Sequence, residues 1–199
     1  MNPTKSTETV FGNGKKQLRL IPDDEHSVTI AGEKFSDLME LCFKRADYFT
    51  LTKSSGYKHF SDYMFLLKSM ETFWRERKVE KELKRALKPF YVKRIHTLHW
   101  FCFYRETPLE VTVYKAVPEA KAVLLQFFDD LFFEQNRPKL TPRAHEDLCF
   151  FQNGRLILGT VSHEYICHAY PQDEEFDVRL RALCPWNEEA YRGEEHLWL

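Results

Sequence analysis

The sequence has few glycines, no Cys-x-x-Cys motif and no long apolar run. Seven glycines against 17 phenylalanines in 199 residues argue against a repeat or low-complexity scaffold and for one compact core. No stretch approaches the roughly 20 apolar residues that a membrane-spanning helix needs, and the N-terminal residues lack the apolar segment of a signal peptide. A formal charge of −1 removes the simplest argument for nucleic-acid binding. We therefore expect a soluble, cytoplasmic protein.

The five cysteines are odd in number and widely spaced, which does not indicate a disulfide framework. They are Cys42, Cys102, Cys149, Cys167 and Cys184. Four of them lie in apolar runs, where a free thiol behaves as a small hydrophobic side chain. We expect reduced, buried and unreactive thiols.

The clearest structural signal is a group of three apolar runs in the C-terminal half, at residues 146–152, 155–161 and 165–170. The first two are rich in aromatic and β-branched or aliphatic residues, which favours strands. Asn153-Gly154 separates them, and this dipeptide accepts the positive φ angles of a type I′ turn. The pattern predicts a three-stranded antiparallel meander.

Two more runs of β-type composition, 97–104 and 109–115, flank a polar segment at 105–108 that ends in proline. This pattern predicts a hairpin that turns at 105–108. The apolar segment 119–133 follows a proline and begins with glutamate, both typical of a helix start, and further helices are expected between residues 36 and 90. The predicted fold class is therefore α+β, with an antiparallel sheet (the hairpin plus the three-stranded meander) packed against helices.

Composition suggests three regions along the chain. Residues 1–16 are polar and contain two glycines, which predicts a flexible lead-in. Residues 17–184 are expected to form a single α+β domain. Residues 185–199 contain four glutamates and are predicted to form an acidic tail.

The segment 75–88 is the longest basic stretch in the chain, and its apolar residues recur with helical spacing. Its cations, the candidate binding residues, are Arg75, Arg77, Lys78, Lys81, Lys84, Arg85 and Lys88. The ordinary interpretation is a solvated helix face with intrahelical ion pairs. An acidic protein surface and a nucleic-acid backbone are the two functional alternatives. Whether this helix is continuous with an apolar pattern at 61–74 is left open.

His163-Glu164 is the pair most suggestive of acid–base chemistry. With His168 it gives His-Glu-x-x-x-His, one residue longer than the spacing by which zinc proteases bind their metal on a helix. On a helix or a strand this longer spacing does not direct both imidazoles at one ion. No phosphate-binding glycine loop or nucleophile elbow is present. We therefore predict no metal site and no cofactor.

Three short motifs occur in a recognisable order: Asp130-Leu131-Phe132, then the aromatic run 146–151, then Ser162-His163-Glu164. This order resembles an uncharacterised family of small proteins from Bacillus and related Gram-positive bacteria, some of which carry an automatic stage III sporulation label. The resemblance covers residues 100–170. It implies a bacterial or phage origin and one fold unit over that range, and it implies no activity, ligand or catalytic residue.

The favoured functional hypothesis is a non-catalytic, cytosolic protein-binding module, of the inhibitor or immunity type. It is based on the missing catalytic motifs, the many aromatic residues and the basic helix. One alternative is an enzyme that uses His163 and Glu164. The other is nucleic-acid binding through the basic helix 75–88. A protein partner is expected and membrane association is not, while the oligomeric state is left open.

Overall fold

A computed structural model describes residues 16–21, 30–54, 70–101, 103–132 and 146–190. Within them the chain forms an eight-stranded antiparallel sheet and four α-helices, which confirms the predicted α+β class. The strands are β1 Lys16–Leu20, β2 Tyr48–Ser54, β3 Tyr91–Trp100, β4 Phe103–Lys115, β5 Glu146–Gln152, β6 Arg155–Val161, β7 Ile166–Ala169 and β8 Trp186–Ala190. The helices are α1 Glu33–Phe43, α2 Met70–Leu87, α3 Pro118–Phe127 and α4 Glu174–Leu183.

The strand order is β3-β4-β2-β5-β6-β7-β1-β8, and every pairing is antiparallel. The predicted meander is present as β5, β6 and β7. Asn153 and Gly154 both have positive φ, at 50° and 76°, as a type I′ turn requires. The connection from β6 to β7 is a single 3-10 turn, Ser162–Glu164.

The predicted hairpin forms, but its turn was placed wrongly. The chain reverses at Phe101, where φ is 55°, and not at 105–108, so that β3 and β4 are longer than expected. Pro108 therefore lies inside β4. It is tolerated there because the β3–β4 register shifts next to it, between Thr97 and His99.

The helices form a layer on one side of the sheet, in which α1 contacts α3 and α4, and α3 contacts α2. Helix α2 runs without a break through residue 75, and the part of the pattern at 61–74 that precedes Met70 lies outside the described residues. Helix α3 ends at Phe127, short of the predicted 133. The backbone after Phe127 leaves the helix because it forms hydrogen bonds with another segment: Gly32 N donates to Asp129 O, and Leu131 N donates to Ile30 O.

Two hydrophobic cores occupy the two faces of the sheet. The first lies between the helices and the sheet and contains Phe49, Phe150 and Phe176. The second lies on the opposite face, where the tip of the β3–β4 hairpin bends over the meander: the Trp100 ring lies 5.9 Å from that of Phe151. The sheet is thus curled around its second core.

The boundaries of the domain differ from the predicted ones at both ends. Lys16, assigned to the flexible lead-in, begins β1, and residues 1–15 lie outside the described ranges. Trp186–Ala190, assigned to the acidic tail, form the edge strand β8, which pairs with β1 along its whole length. None of the helices in the described ranges has the length and apolar composition needed to cross a bilayer.

Candidate functional site

A cleft of about 160 Å³ opens where the end of α2 and the following 3-10 turn, Lys88–Phe90, meet β3 and β4. We call it the basic cleft. It is lined by Lys84, Lys88, Tyr91, Arg94, Thr112 and Tyr114. Three of these side chains are cationic and the other three carry a hydroxyl group, so the lining offers hydrogen-bond donors and no carboxylate.

The floor of the basic cleft follows from the alternation of β4. Val111 and Val113 point into the second core, so Thr112 and Tyr114 point to the helix-covered face. The Tyr114 ring stacks on Phe49, with centroids 5.2 Å apart, and only 4% of the residue is exposed. The floor is therefore fixed by the first core.

Tyr114 keeps its proton at neutral pH. Burial raises the pKa of Tyr114 to about 12, although a hydrogen bond with Thr112 and the nearby Arg94 guanidinium act in the opposite direction. A neutral phenol can donate a hydrogen bond but cannot act as a base near pH 7.

The rim of the basic cleft is cationic and open to solvent. Arg94 lies opposite Thr112 in the β3–β4 register, and its Nε is 3.4 Å from Oε1 of Glu110. That contact uses one edge of the guanidinium and leaves the terminal nitrogens for another partner. Lys88 is exposed and has no ion-pair partner within the described ranges, and 48% of Tyr91 is exposed.

Lys84 is held in place by an ion-pair network behind the rim. Glu80 Oε1 lies 2.9 Å from Lys84 Nζ, one helical turn away, and 2.5 Å from Lys53 Nζ on β2. Burial raises the pKa of Glu80, but the hydrogen bonds from Lys53 and Lys84 outweigh it and lower the pKa from 4.5 to about 2. The network fixes α2 on the sheet beside the cleft.

We expect Glu80→Gln to lower the free energy of unfolding at pH 7 by about 1–2 kcal/mol, a value reduced for partial exposure of the carboxyl group. Because the folded-state pKa is depressed, this contribution is present above pH 4.5 and is lost as the pH falls towards 2. Urea unfolding of wild type and variant at pH 7, 5, 3 and 2 measures it. Glu82→Gln is the control, since Glu82 has no ion-pair partner among the described residues. A difference in unfolding free energy between wild type and Glu80→Gln that stays constant down to pH 2 would contradict the lowered pKa of Glu80.

Five of the seven predicted basic residues have described side chains, and these five divide into two groups. Lys84 and Lys88 line the basic cleft, whereas Lys78, Lys81 and Arg85 are exposed on α2 outside it. Arg75 and Arg77 belong to the same helix, but their side chains lie outside the description.

Sequence reasoning missed four residues of the cleft: Tyr91, Arg94, Thr112 and Tyr114. The available signal was the alternation along β4, which gives Thr112 and Tyr114 a shared face. It does not indicate that this face meets the end of a helix.

The predicted acid–base pair lies on the 3-10 turn Ser162–Glu164, far along the sheet from the basic cleft. Glu164 is exposed, and the side chain of His163 lies outside the description. His168 contacts other residues: its Nδ1 is 3.5 Å from Gln17 Nε2, and its ring forms a T-shaped pair with that of Phe101. The described residues contain no group of three ligands that could hold a metal ion. A catalytic role for His163 and Glu164 remains a prediction.

A buried hydrogen-bonded group anchors that turn. Asp147 Oδ1 accepts from Ser162 N at 2.8 Å, and Oδ2 accepts from Thr52 Oγ1 at 2.8 Å. The Asp147 N–H donates in return to Ser162 Oγ at 3.1 Å. All three residues are buried, and Asp147 has a φ of 51°, which is rare for a residue other than glycine.

Four of the cysteines are buried free thiols: Cys42, Cys149, Cys167 and Cys184. Cys102 lies outside the described residues. Burial raises the pKa of Cys42 and of Cys167, so both stay protonated and weakly nucleophilic at neutral pH. These thiols act as core side chains.

No family model, curated protein or solved structure matches this chain. The proposals below therefore rest on the geometry and electrostatics of its own residues.

Proposed function

We propose that the protein is a non-catalytic binding module that docks an acidic segment of a partner protein in the basic cleft. The observation that carries this proposal is the open rim, where Lys88 and the terminal nitrogens of Arg94 stand next to exposed Tyr91. Cations with unused donors beside an aromatic ring are typical of a surface that recognises carboxylates or phosphates.

The lining of the basic cleft favours binding over acid–base catalysis. It contains no carboxylate, imidazole or thiol, and its buried phenol, Tyr114, has a raised pKa. The groups present can hold an anion in place, but at neutral pH they do not supply a general base.

The charge pattern favours a short acidic segment over a nucleic-acid backbone. Phosphodiester binding draws its affinity from many cations along a continuous track. Here Glu80, Glu82 and Glu110 interrupt the cations of α2 and β3, and the whole chain has a charge of −1. Such a surface suits one or two anionic groups.

The test is charge reversal at the rim with a matched control. We expect Lys88→Glu/Arg94→Glu to weaken binding of a set of fluorescein-labelled acidic peptides by at least about tenfold, since charge-assisted hydrogen bonds are each worth about 1.5–3 kcal/mol. Lys34→Glu/Arg179→Glu makes the same change of charge on exposed faces of α1 and α4 and should stay within about twofold of wild type. Fluorescence anisotropy gives the affinities.

Two outcomes would overturn the proposal. One is equal loss of affinity in both double variants, which would show a general charge effect. The other is preferential binding of a single-stranded oligonucleotide of the same charge as the peptides, with affinity falling steeply as salt rises. That second result would establish the nucleic-acid alternative instead.

A further inference from the structure

We propose that the acidic group bound in the basic cleft is the phosphate monoester of a phosphorylated side chain on the partner protein. This inference rests on the proposed function and specifies the chemistry of its ligand. Three observations carry it: the charge balance of the cleft, the number of donors at its rim and the way two carboxylates position the cations.

The charge balance matches a dianion. Four cations and two carboxylates lie in and directly behind the cleft: Lys53, Lys84, Lys88, Arg94, Glu80 and Glu110. The excess is two positive charges. A phosphate monoester carries about −1.5 to −2 at pH 7, whereas a carboxylate carries −1. A phosphate would therefore neutralise the cleft, while a glutamate would leave one uncompensated charge.

The basic cleft offers more hydrogen-bond donors than the two oxygens of a carboxylate can accept. Lys84 and Lys88 contribute ammonium groups, Arg94 its terminal nitrogens, and the exposed residue Tyr91 a hydroxyl group. A carboxylate has two oxygens, whereas a phosphate monoester presents three terminal oxygens that each accept more than one hydrogen bond. The planar guanidinium matches two of those oxygens at once.

The two carboxylates act as positioning residues for these cations. Glu80 holds Lys84 at 2.9 Å, and Glu110 lies 3.4 Å from Nε of Arg94, so that the ammonium and the guanidinium are oriented before any ligand arrives. Donors that are already oriented lose less conformational entropy on binding. Glu110 also lies near His96, whose Nε2 is 3.8 Å from its Oε2 and which is not part of the cleft lining.

The experiment compares three peptides of one sequence that carry phosphoserine, glutamate or serine at a central position. We expect the phosphoserine peptide to bind at least about tenfold more tightly than the glutamate peptide, and the serine peptide to bind least. Inorganic phosphate should compete, and acetate at equal ionic strength should not. Isothermal titration calorimetry gives the affinities, with Lys34→Glu/Arg179→Glu as the folded control.

Arg94→Lys adds a second, independent readout. It keeps the charge and removes the planar fork, which matches the oxygens of a carboxylate as well as those of a phosphate, so it should weaken the phosphoserine and the glutamate peptides alike, by about fivefold or more, and leave the melting temperature unchanged. Affinities that stay within about twofold of wild type for both peptides would show that Arg94 does not contact the acidic group, and they would contradict the inference.

The remaining outcomes separate this inference from the proposed function. Equal affinities of the phosphoserine and glutamate peptides, both lost in Lys88→Glu/Arg94→Glu, would overturn the phosphate assignment and leave the proposed function standing. If inorganic phosphate or an inositol phosphate binds as tightly as the phosphoserine peptide, the ligand is not a protein segment and both proposals fail. An oligonucleotide that binds more tightly than all three peptides would likewise remove both.

Discussion

Replacing Asp147 by alanine is expected to lower the free energy of unfolding by about 3 kcal/mol. The carboxylate accepts two buried hydrogen bonds, from the Ser162 backbone and the Thr52 hydroxyl. Alanine leaves both donors buried without a partner, which costs about 1–3 kcal/mol for each polar group. Alanine also tolerates the positive φ of this position less well than aspartate does. Urea unfolding measures the difference, and a fall in melting temperature of about 6–12 °C should accompany it.

Two further variants test whether the loss of stability in Asp147→Ala comes from the buried hydrogen bonds. Asp147→Asn keeps the shape and the tolerance of positive φ, and the Thr52 hydroxyl can rotate to accept from the new amide, so we expect a loss of only about 1 kcal/mol. Asp37→Ala removes an exposed carboxylate from α1 and should stay within about 0.5 kcal/mol of wild type. If Asp147→Ala also stays within that range, the buried group does not hold the turn Ser162–Glu164.

The elements that sequence reasoning found are those specified by neighbouring residues. The meander was predictable because Asn153-Gly154 fixes the turn type and because the flanking runs are apolar enough to be buried on both faces. Burial along β5 and β6 is nearly continuous, as expected of central strands. In this part of the chain, local preferences and tertiary packing agree.

Sequence reasoning failed where a distant segment decides the local structure. Pro108 is typical of a turn, yet it lies in β4, where the neighbouring shift of the β3–β4 register accommodates a residue without an N–H. Apolar residues after Phe127 continue a helical pattern, yet their backbone pairs with residues 30–32. The glutamates of β8 are predicted to lie in an acidic tail, yet Oε2 of Glu188 lies 3.0 Å from Nη2 of Arg181 and 3.4 Å from Nζ of Lys16.

Only two of the six residues that line the basic cleft were predictable, for the same reason. Lys84 and Lys88 stand out as part of a basic helix in the sequence. Arg94 and Tyr114 come from two strands, and only the sheet pairing places them beside the end of α2. A binding residue supplied by a strand with ordinary alternation has no distinctive local signal. The strand residues that complete a binding site at the end of a helix can therefore be identified only from the three-dimensional structure.

Replacing Gly159 by valine is expected to cost about 3 kcal/mol, by crowding the second core. A Cβ atom at this position would already lie 3.2 Å from Cys149 Sγ, from Leu156 Cδ2 and from Phe101 Cε2. The branched methyl groups of valine need still more room. Cys149 and Leu156 belong to the paired strands β5 and β6, so the hairpin tip with Phe101 is the neighbour that can move. Urea unfolding gives the cost, and Gly159→Ala should cost about 1 kcal/mol or less.

A double-mutant cycle tests whether the hairpin tip is what crowds Gly159. Phe101→Leu removes ring atoms next to Gly159 and should be destabilising alone, because the ring also packs against His168. In the Gly159→Val background, Phe101→Leu should lower the free energy of unfolding by at least about 1 kcal/mol less than it does in wild type, since the smaller leucine side chain makes room for the valine. Additive costs would mean that the tip does not close on β6. A favourable coupling would establish that the tip of the β3–β4 hairpin packs directly against Gly159 of the meander.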